Sequence, residues 1–262
     1  MADSLVTYRV EDGIAIMELN NPPANSYNHE MMRALDECVL KARFDESVHV
    51  LIITGAGEKF FSGGADIGML QSGSPNYLYN FGLHGNETLL RIENTPKLVI
   101  AAINGHAMGG GCEISLACDI RIGKKGNSKI GLPEVNLGVL PGMGGTQRLA
   151  RLVGSARAME LMASGAAISF DQALEIGLLN HLFEAEDYWQ KVLDYARNFV
   201  PPKKASLSVG LIKRAVKSGV EMSLNDGLAL EREVLQRAFD SEDAKEGLKA
   251  YLEKRQANFQ GK

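Results

Sequence analysis

The sequence predicts an α/β protein in which parallel strands alternate with helices, followed by a helical C-terminal part. Three observations favour this class. In the first part of the chain, short apolar strands alternate with helical stretches, a rhythm that requires crossover connections. From about residue 143 the apolar pattern becomes mostly helical. The chain has 262 residues and is 45% apolar, enough to bury a substantial core without disulfides or metals.

The first elements follow from local patterns. In chain order we predict two hairpin strands, a helix, two apolar strands and a short helix, at residues 5–10, 14–19, 28–44, 48–54, 98–103 and 111–118. Asp12-Gly13 is a strong hairpin turn pair, and Pro22-Pro23 ends the hairpin. The continuous apolar run at 48–54 is typical of a strand covered on both faces. A long mixed segment up to about Asn94 has no clear assignment.

Capping residues mark the later helices. Ser169 and Gln172 form a capping-box pattern, and Gly177 lies where that helix should stop. Ser223 opens another helix, and Ser241 opens the last one, which carries acidic residues in its first turn. We take Pro201-Pro202 as the boundary between two parts of the chain.

Composition and charge exclude several classes of protein. The net charge of −4 argues against a general nucleic-acid binder, which usually carries a basic face. The longest apolar run is far shorter than the ~20 residues of a membrane helix, and no signal-peptide pattern is visible. Cys38, Cys112 and Cys118 contain no C-x-x-C pattern and favour buried thiols in a reducing compartment. We therefore expect a cytoplasmic protein with no membrane partner and no metal.

Two glycine-rich turns, at residues 60–66 and 104–113, each follow a predicted strand. Glycine lets backbone N–H groups approach a ligand closely, and a helix N-terminus adds unpaired donors with partial positive charge. If the turns converge, two N–H groups can bind one oxygen that becomes negative during a reaction. The alternative is that both are ordinary strand-to-helix turns. Neither has the pattern of a dinucleotide fold or a P-loop.

Two glutamates lie among apolar neighbours. Glu113 is on the first turn of the predicted helix at 111–118, and Glu134 follows a short strand signal around Ile130. An unpaired buried charge is costly, so such carboxyls are paired or functional. Two carboxyls together can share proton transfer. The alternatives are a helix-dipole carboxylate for Glu113 and a solvated loop acid for Glu134.

These stretches together resemble the enoyl-CoA hydratase/isomerase (crotonase) superfamily, closest in motif to the 2-enoyl-CoA hydratases. The matching segments run in order along nearly the whole chain, at residues 61–67, 104–113, 132–134, 141–149 and 251–255. The resemblance implies a crotonase-like spiral of ββα units over residues 1–200, bearing the site for a coenzyme A thioester. It also implies a C-terminal helical trimerisation region over 201–262, and a homotrimer or dimer of trimers.

The resemblance also implies a reaction, the reversible syn addition of water to a trans-2-enoyl-CoA. The amides of Ala65 and Gly110 would hold the thioester oxygen as an enolate forms. Glu113 would deprotonate the water that attacks C3, and Glu134 would deliver a proton to C2. No cofactor is implied, since coenzyme A is part of the substrate. An isomerase that uses one acid is less favoured, because this chain has both.

Ligand contacts are implied for a further set of residues, namely Ala24, Ser62, Gly63, Gly64, Asp66, Ile67, Tyr251 and Lys254. Lys254 would reach the nucleotide phosphates bound at a neighbouring subunit. The chain departs from the usual family pattern at Gly63-Gly64. It departs again at Ser26-Tyr27-Asn28, where an Ala-Leu form is commoner.

Two other functions remain open. One is an enoyl-CoA isomerase, or another crotonase-type enzyme acting on a branched or cyclic acyl-CoA. The other is a non-enzymatic binding role for a run of basic residues, Lys203, Lys204, Lys213, Arg214 and Lys217. The simpler interpretation of that run is a solvated helix face.

Overall fold

The computed structural model describes residues 4–262, and within them the strands form two sheets. The larger sheet contains, in spatial order, β1 (Val6–Glu11), β2 (Ile14–Leu19), β3 (Val50–Gly55), β5 (Leu98–Ile103), β7 (Ile120–Lys124) and β10 (His181–Phe183). The smaller sheet contains β4 (Phe60–Ser62), β6 (His106–Met108), β8 (Lys129–Gly131) and β9 (Ala167–Ser169). The pairs β1–β2 and β8–β9 are antiparallel, and the other neighbours are parallel.

Helices connect and cover these sheets. Within residues 4–262 they are α1 (His29–Phe44), α2 (Ile67–Ser72), α3 (Pro75–Asn94), α4 (Gly110–Ala117), α5 (Gly145–Val153), α6 (Ser155–Ser164), α7 (Phe170–Glu175), α8 (Tyr188–Ala196), α9 (Ser206–Gly219), α10 (Leu224–Phe239) and α11 (Glu242–Leu252). Single 3-10 turns cover Glu134–Leu137 and Arg197–Phe199. None of these helices combines the length and apolar character needed to cross a membrane.

Several turns and helix starts agree with the local sequence patterns. Asp12 and Gly13 both have positive φ, 50° and 77°, which is the backbone of a tight hairpin turn between β1 and β2. The Asn28 side chain accepts the Met31 N–H and starts α1. The capping box at Ser169 is present with both of its hydrogen bonds. The predicted hairpin, first helix and capping box are therefore confirmed.

The core lies on both faces of the larger sheet. Every residue of β3 is buried, and alternate side chains point to opposite faces. Leu51 and Ile53 join an apolar cluster that includes α1 and α4, while Val50 and Ile52 join a second cluster with α8. The predicted double coverage of this strand is confirmed.

The C-terminal helices meet the sheet through a buried ion pair. Lys213 of α9 is 7% exposed, and its ammonium lies 2.7 Å from the carboxylate of Asp119, in the turn before β7. The same ammonium donates to the carbonyls of Ile92 and Lys97. The interpretation of the basic run as a solvated helix face is therefore wrong for Lys213, because its charge is neutralised inside the protein.

Candidate active site

The two glycine-rich turns meet at one edge of the smaller sheet. Strands β4 and β6 are parallel neighbours, so the turns that follow them leave from the same edge. Gly64 has a φ of +93°, and a Cβ there would lie only 2.9 Å from the Met108 carbonyl oxygen and 3.2 Å from the Gly110 nitrogen. Only glycine permits this approach. The two turns are thus in contact, as the oxyanion hypothesis requires.

Two backbone amides at this contact have no partner. Ala65 pairs with Tyr27 in a parallel bridge, but that bridge uses the amides of Tyr27 and Asp66 and leaves the Ala65 N–H free. Gly110 is the first residue of α4, where an amide has no partner inside the helix. Neither N–H donates a hydrogen bond to any atom of residues 4–262. The structure therefore offers two free donors, one from each turn.

Glu113 is held rigidly on the first turn of α4. It is 2% exposed, and its Oε1 accepts the N–H groups of Met143 and Gly145, both at 2.8 Å. A Cβ on Gly145 would lie 3.0 Å from that oxygen, so glycine allows the close approach. Burial raises the pKa of Glu113, while the two N–H bonds and the Arg148 charge oppose that rise. The bonds orient the carboxylate and favour its ionised form.

Glu134 lies beside the same helix N-terminus. Its Oε1 is 2.8 Å from the position of a Cβ on Gly109, which precedes the free amide of Gly110 and has a φ of +52°. Its Oε2 is buried and has no hydrogen-bond partner in residues 4–262. Burial, with a further contribution from the Glu113 charge, raises the pKa of Glu134 to about 7. A carboxyl that titrates near neutrality can both give and take a proton.

Arg148 holds the loop whose N–H groups bind Glu113. Its guanidinium binds both oxygens of the Glu93 carboxylate, at 3.0 and 2.6 Å, and donates to the Met143 carbonyl at 2.8 Å. Met143 in turn donates to Glu113, so the ion pair holds the loop that orients the acid. The motif at 141–149 contains Arg148, but it does not predict this contact, because Glu93 lies on α3, 55 residues away in sequence.

Several of the predicted ligand contacts lie in or beside the first glycine-rich turn. Ala24 and Gly63 lie together, with the Gly63 N–H donating to the Ala24 carbonyl at 2.7 Å. Ser62 is fully buried, and its hydroxyl joins the Asn25 carbonyl and the Gly64 N–H. The Ser62 hydroxyl therefore supports the turn, and the ligand contact expected of the backbone around Ser62 stays a prediction.

The structural role of Asn25, in the loop with Ala24, was not predicted from the sequence. It is 2% exposed with a φ of +50°, and its amide donates to the carbonyls of Ala56 and Phe60, both at 2.9 Å. Its side-chain oxygen accepts the Asn21 N–H. The residue joins the loop before Tyr27 to the strand that carries the first glycine-rich turn. An asparagine in a turn is a weak signal for such a role.

The remaining predicted contacts lie farther along the chain. The Asp66 carboxylate accepts the Met69 N–H at 2.7 Å and starts α2, and Ile67 beside it is 57% exposed. Tyr251 and Lys254 lie at the end of α11, and no side-chain hydrogen bond connects either residue to the acids or the free amides. Since Lys254 was expected to act at a neighbouring subunit, that role stays a prediction.

Residues 4–262 contain no group of three or more His, Cys, Asp or Glu side chains arranged to hold a metal ion. All three cysteines are free thiols, with Cys112 and Cys118 buried and Cys38 partly buried.

The fold and the pair of turns define a family. The family model for enoyl-CoA hydratase/isomerase matches residues 9–262, and the chain belongs to that family. The resemblance drawn from the motifs is therefore confirmed, and so is the crotonase-like α/β fold.

Individual relatives agree with this membership. The chain is 39% identical over 260 residues to a crotonyl-CoA hydratase from Syntrophomonas wolfei, covering 99% of each chain. It is 39% identical to a short-chain-enoyl-CoA hydratase from Clostridium acetobutylicum, covering 94% of this chain and 93% of that one. Among solved structures, an enoyl-CoA hydratase from Geobacillus kaustophilus superposes with a TM-score of 0.97 at 44% identity, covering 100% of this chain and 98% of that one.

Proposed function

We propose that this protein adds water reversibly to a trans-2-enoyl-CoA to give a 3-hydroxyacyl-CoA. The observation that carries the proposal is the pair of carboxyls, Glu113 and Glu134, beside the N-terminus of α4, where the two turns that present the free amides meet. Membership of the family and relatives named crotonyl-CoA hydratase and short-chain-enoyl-CoA hydratase support a coenzyme A thioester as substrate. A short acyl chain is accordingly the first substrate to test.

The two free amides provide the electrostatic part of the mechanism. Attack at C3 moves negative charge onto the thioester oxygen, and the N–H groups of Ala65 and Gly110 would donate to it. The α4 N-terminus adds its partial positive charge at the same point. One such preorganised donor typically contributes ~3–4 kcal/mol of barrier lowering. Because both donors are backbone groups held by turns, they need no rearrangement during the reaction.

The two acids provide the proton transfers. Ionised Glu113 would take a proton from the water as its oxygen bonds to C3. Protonated Glu134 would give its proton to C2 on the same face. Each turnover leaves Glu113 protonated and Glu134 ionised, so proton exchange must restore both groups. The pKa of about 7 at Glu134 supports this role, since the group is protonated in a useful fraction near neutral pH.

Ligand contacts and assembly complete the proposal. Ala24, Gly63, Gly64, Asp66 and Ile67 would line the coenzyme A side of the first turn. Tyr251 and Lys254 would reach a ligand at a neighbouring subunit of a homotrimer or dimer of trimers. Exposed apolar side chains on the last helices support association, among them Leu224, Phe239, Leu248 and Leu252. No cofactor is needed beyond the coenzyme A of the substrate. Light scattering measures the assembly directly.

A mass measurement tests the reaction. Incubation with crotonyl-CoA and a panel of longer, branched and cyclic 2-enoyl-CoA thioesters should add the mass of one water to at least one of them. The alternative activity, double-bond isomerisation, uses the same amides and leaves the mass unchanged while the double bond moves. No change in any thioester would refute both.

Two variants separate the candidates further. With Glu113→Gln or Glu134→Gln, a hydratase should lose most of its activity in either case, whereas an isomerase that uses one acid should lose it in only one. The matched control is Glu231→Gln, since Glu231 is exposed on α10. Full hydration activity in either active-site variant would contradict the roles proposed for the acids.

A further inference from the structure

Tyr27 lies where the two donor turns meet. Its N–H donates to the Gly64 carbonyl, and its carbonyl accepts the Asp66 N–H, both at 2.9 Å. These bonds frame Ala65, which pairs with Tyr27 in the parallel bridge. The backbone of Tyr27 thus positions the turn that presents the first free amide.

The side chain of Tyr27 reaches the second turn. Its hydroxyl oxygen and the nearby ring carbons occupy the space where a Cβ on Gly110 would stand. The hydroxyl therefore packs directly against the residue that presents the second free amide. One residue contacts both halves of the oxyanion site, the first half with its backbone and the second with its hydroxyl.

The ring is fixed in place by packing. Tyr27 is 4% exposed and stacks on Phe81 of α3, with ring centroids 5.8 Å apart. Phe81 stacks in turn on Tyr77, at 6.4 Å. A buried ring that stacks on a buried neighbour loses little freedom when a ligand binds, so its hydroxyl is preorganised.

The hydroxyl of Tyr27 has no protein partner. It makes no hydrogen bond within residues 4–262, whereas the equally buried Tyr188 donates to the Ile122 carbonyl at 2.9 Å. A tyrosine hydroxyl that no protein group engages is free to donate to a bound ligand. Burial and the charges of Glu113 and Glu134 raise the pKa of Tyr27 well above its usual value of 10. The phenol therefore keeps its proton and remains a donor.

We propose that the Tyr27 hydroxyl is a third hydrogen-bond donor to the thioester oxygen, beside the amides of Ala65 and Gly110. The proposal rests on the proposed function only in taking a coenzyme A thioester as ligand. No covalent bond changes at Tyr27, because the phenol shares its proton with the developing enolate oxygen and keeps it. The donor comes from the Ser26-Tyr27-Asn28 loop.

Acetoacetyl-CoA tests this donor without requiring catalysis. This ligand has no double bond to hydrate, and it ionises to an enolate whose absorbance can be followed against pH. In Tyr27→Phe, which keeps the ring and removes only the donor, the apparent pKa of the bound ligand should rise by about one to two units relative to the wild type. In Tyr195→Phe, which changes a partly buried tyrosine of α8, it should not move.

Kinetics and stability provide a second readout. In Tyr27→Phe the kcat for 2-enoyl-CoA hydration should fall about 10- to 100-fold with a smaller change in KM. The urea midpoint should stay about the same, since the removed hydroxyl makes no hydrogen bond with the protein. A merely structural residue would show a parallel loss of stability and activity.

Three results would overturn the proposal: an unchanged enolate pKa in Tyr27→Phe, activity lost only in step with stability, or no binding of acetoacetyl-CoA to the wild type. Failure of the proposed function is distinguishable, because a protein that hydrates no 2-enoyl-CoA can still shift the enolate pKa through Tyr27.

Discussion

Glu134 should make the folded protein less stable above neutral pH, and Glu134→Gln should remove that loss. Burial and the Glu113 charge raise the pKa of Glu134 from its ordinary 4.5 to about 7, so the folded state holds this proton more tightly than the unfolded chain does. The group therefore contributes its full stability below about pH 4.5 and loses it as the pH rises through about 7. Glutamine resembles the protonated acid and does not titrate.

The magnitude follows from the size of the pKa change. A group displaced from 4.5 to about 7 alters the free energy of unfolding by at most about 3 kcal/mol. Glu134 lies on a partly exposed 3-10 turn, where solvent screens its charge. We therefore expect Glu134→Gln to be about 1–2 kcal/mol more stable than the wild type in alkaline solution, and equally stable in acid.

Urea unfolding at about pH 5 and about pH 8.5, on either side of the titration, measures this difference. Other titrating groups are common to both proteins and largely cancel in the comparison. Glu231→Gln, at an exposed position, should follow the wild type at both pH values. An equal stability difference between Glu134→Gln and the wild type at both pH values would refute the argument, since the effect would then come from packing rather than from titration.

Three further substitutions test the site and its support. Gly109→Ala places a Cβ 2.8 Å from the Glu134 carboxylate at a φ of +52°, so hydration of crotonyl-CoA should fall by about 10²-fold or more, with about 1–3 kcal/mol of stability lost. Asn25→Ala removes the side-chain amide that donates to two partly buried carbonyls, and should lower the free energy of unfolding by about 1–2 kcal/mol, measured in urea. Lys213→Met removes the ammonium that lies 2.7 Å from the Asp119 carboxylate and leaves only Lys217, at 3.8 Å, so about 3 kcal/mol should be lost in the same assay.

Matched controls separate the causes. Gly57 also has a positive φ, +75°, but a Cβ there meets no atom within 4 Å, so Gly57→Ala adds backbone strain without overlap. Equal activity loss in Gly57→Ala and Gly109→Ala would contradict the role of the carboxylate contact. Asn80 is exposed and the side chain of Lys191 is 43% exposed. Stability losses in Asn80→Ala and Lys191→Met as large as at Asn25 and Lys213 would contradict the arguments from burial.

Much of the fold could be predicted because its signals are local. Asp12-Gly13 defines a hairpin by the dihedral angles that these residues tolerate, and Asn28 and Ser169 start helices by capping adjacent amides. The continuous apolar run of β3 indicates burial on both faces. In the site, the glycines and the two acids could be named from residue type and motif.

The rest depends on contacts between distant parts of the chain. Helix α3 spans twenty residues but was not predicted, because its polar residues and glycines interrupt the helical pattern. Gly85 in this helix makes room for Met143, whose N–H binds Glu113. Neither that contact nor the Arg148–Glu93 pair behind it has a local pattern. The burial of Lys213 was missed for the same reason, since its partner Asp119 lies far away in sequence.

The central claim is that the amides of Ala65 and Gly110 bind one and the same thioester oxygen. A crystal structure with acetoacetyl-CoA measures this directly. The thioester oxygen should lie about 3 Å from both amide nitrogens, and Glu113 and Glu134 should face the adjoining acyl carbons. A thioester oxygen that contacts neither amide, or only one of them, would contradict it.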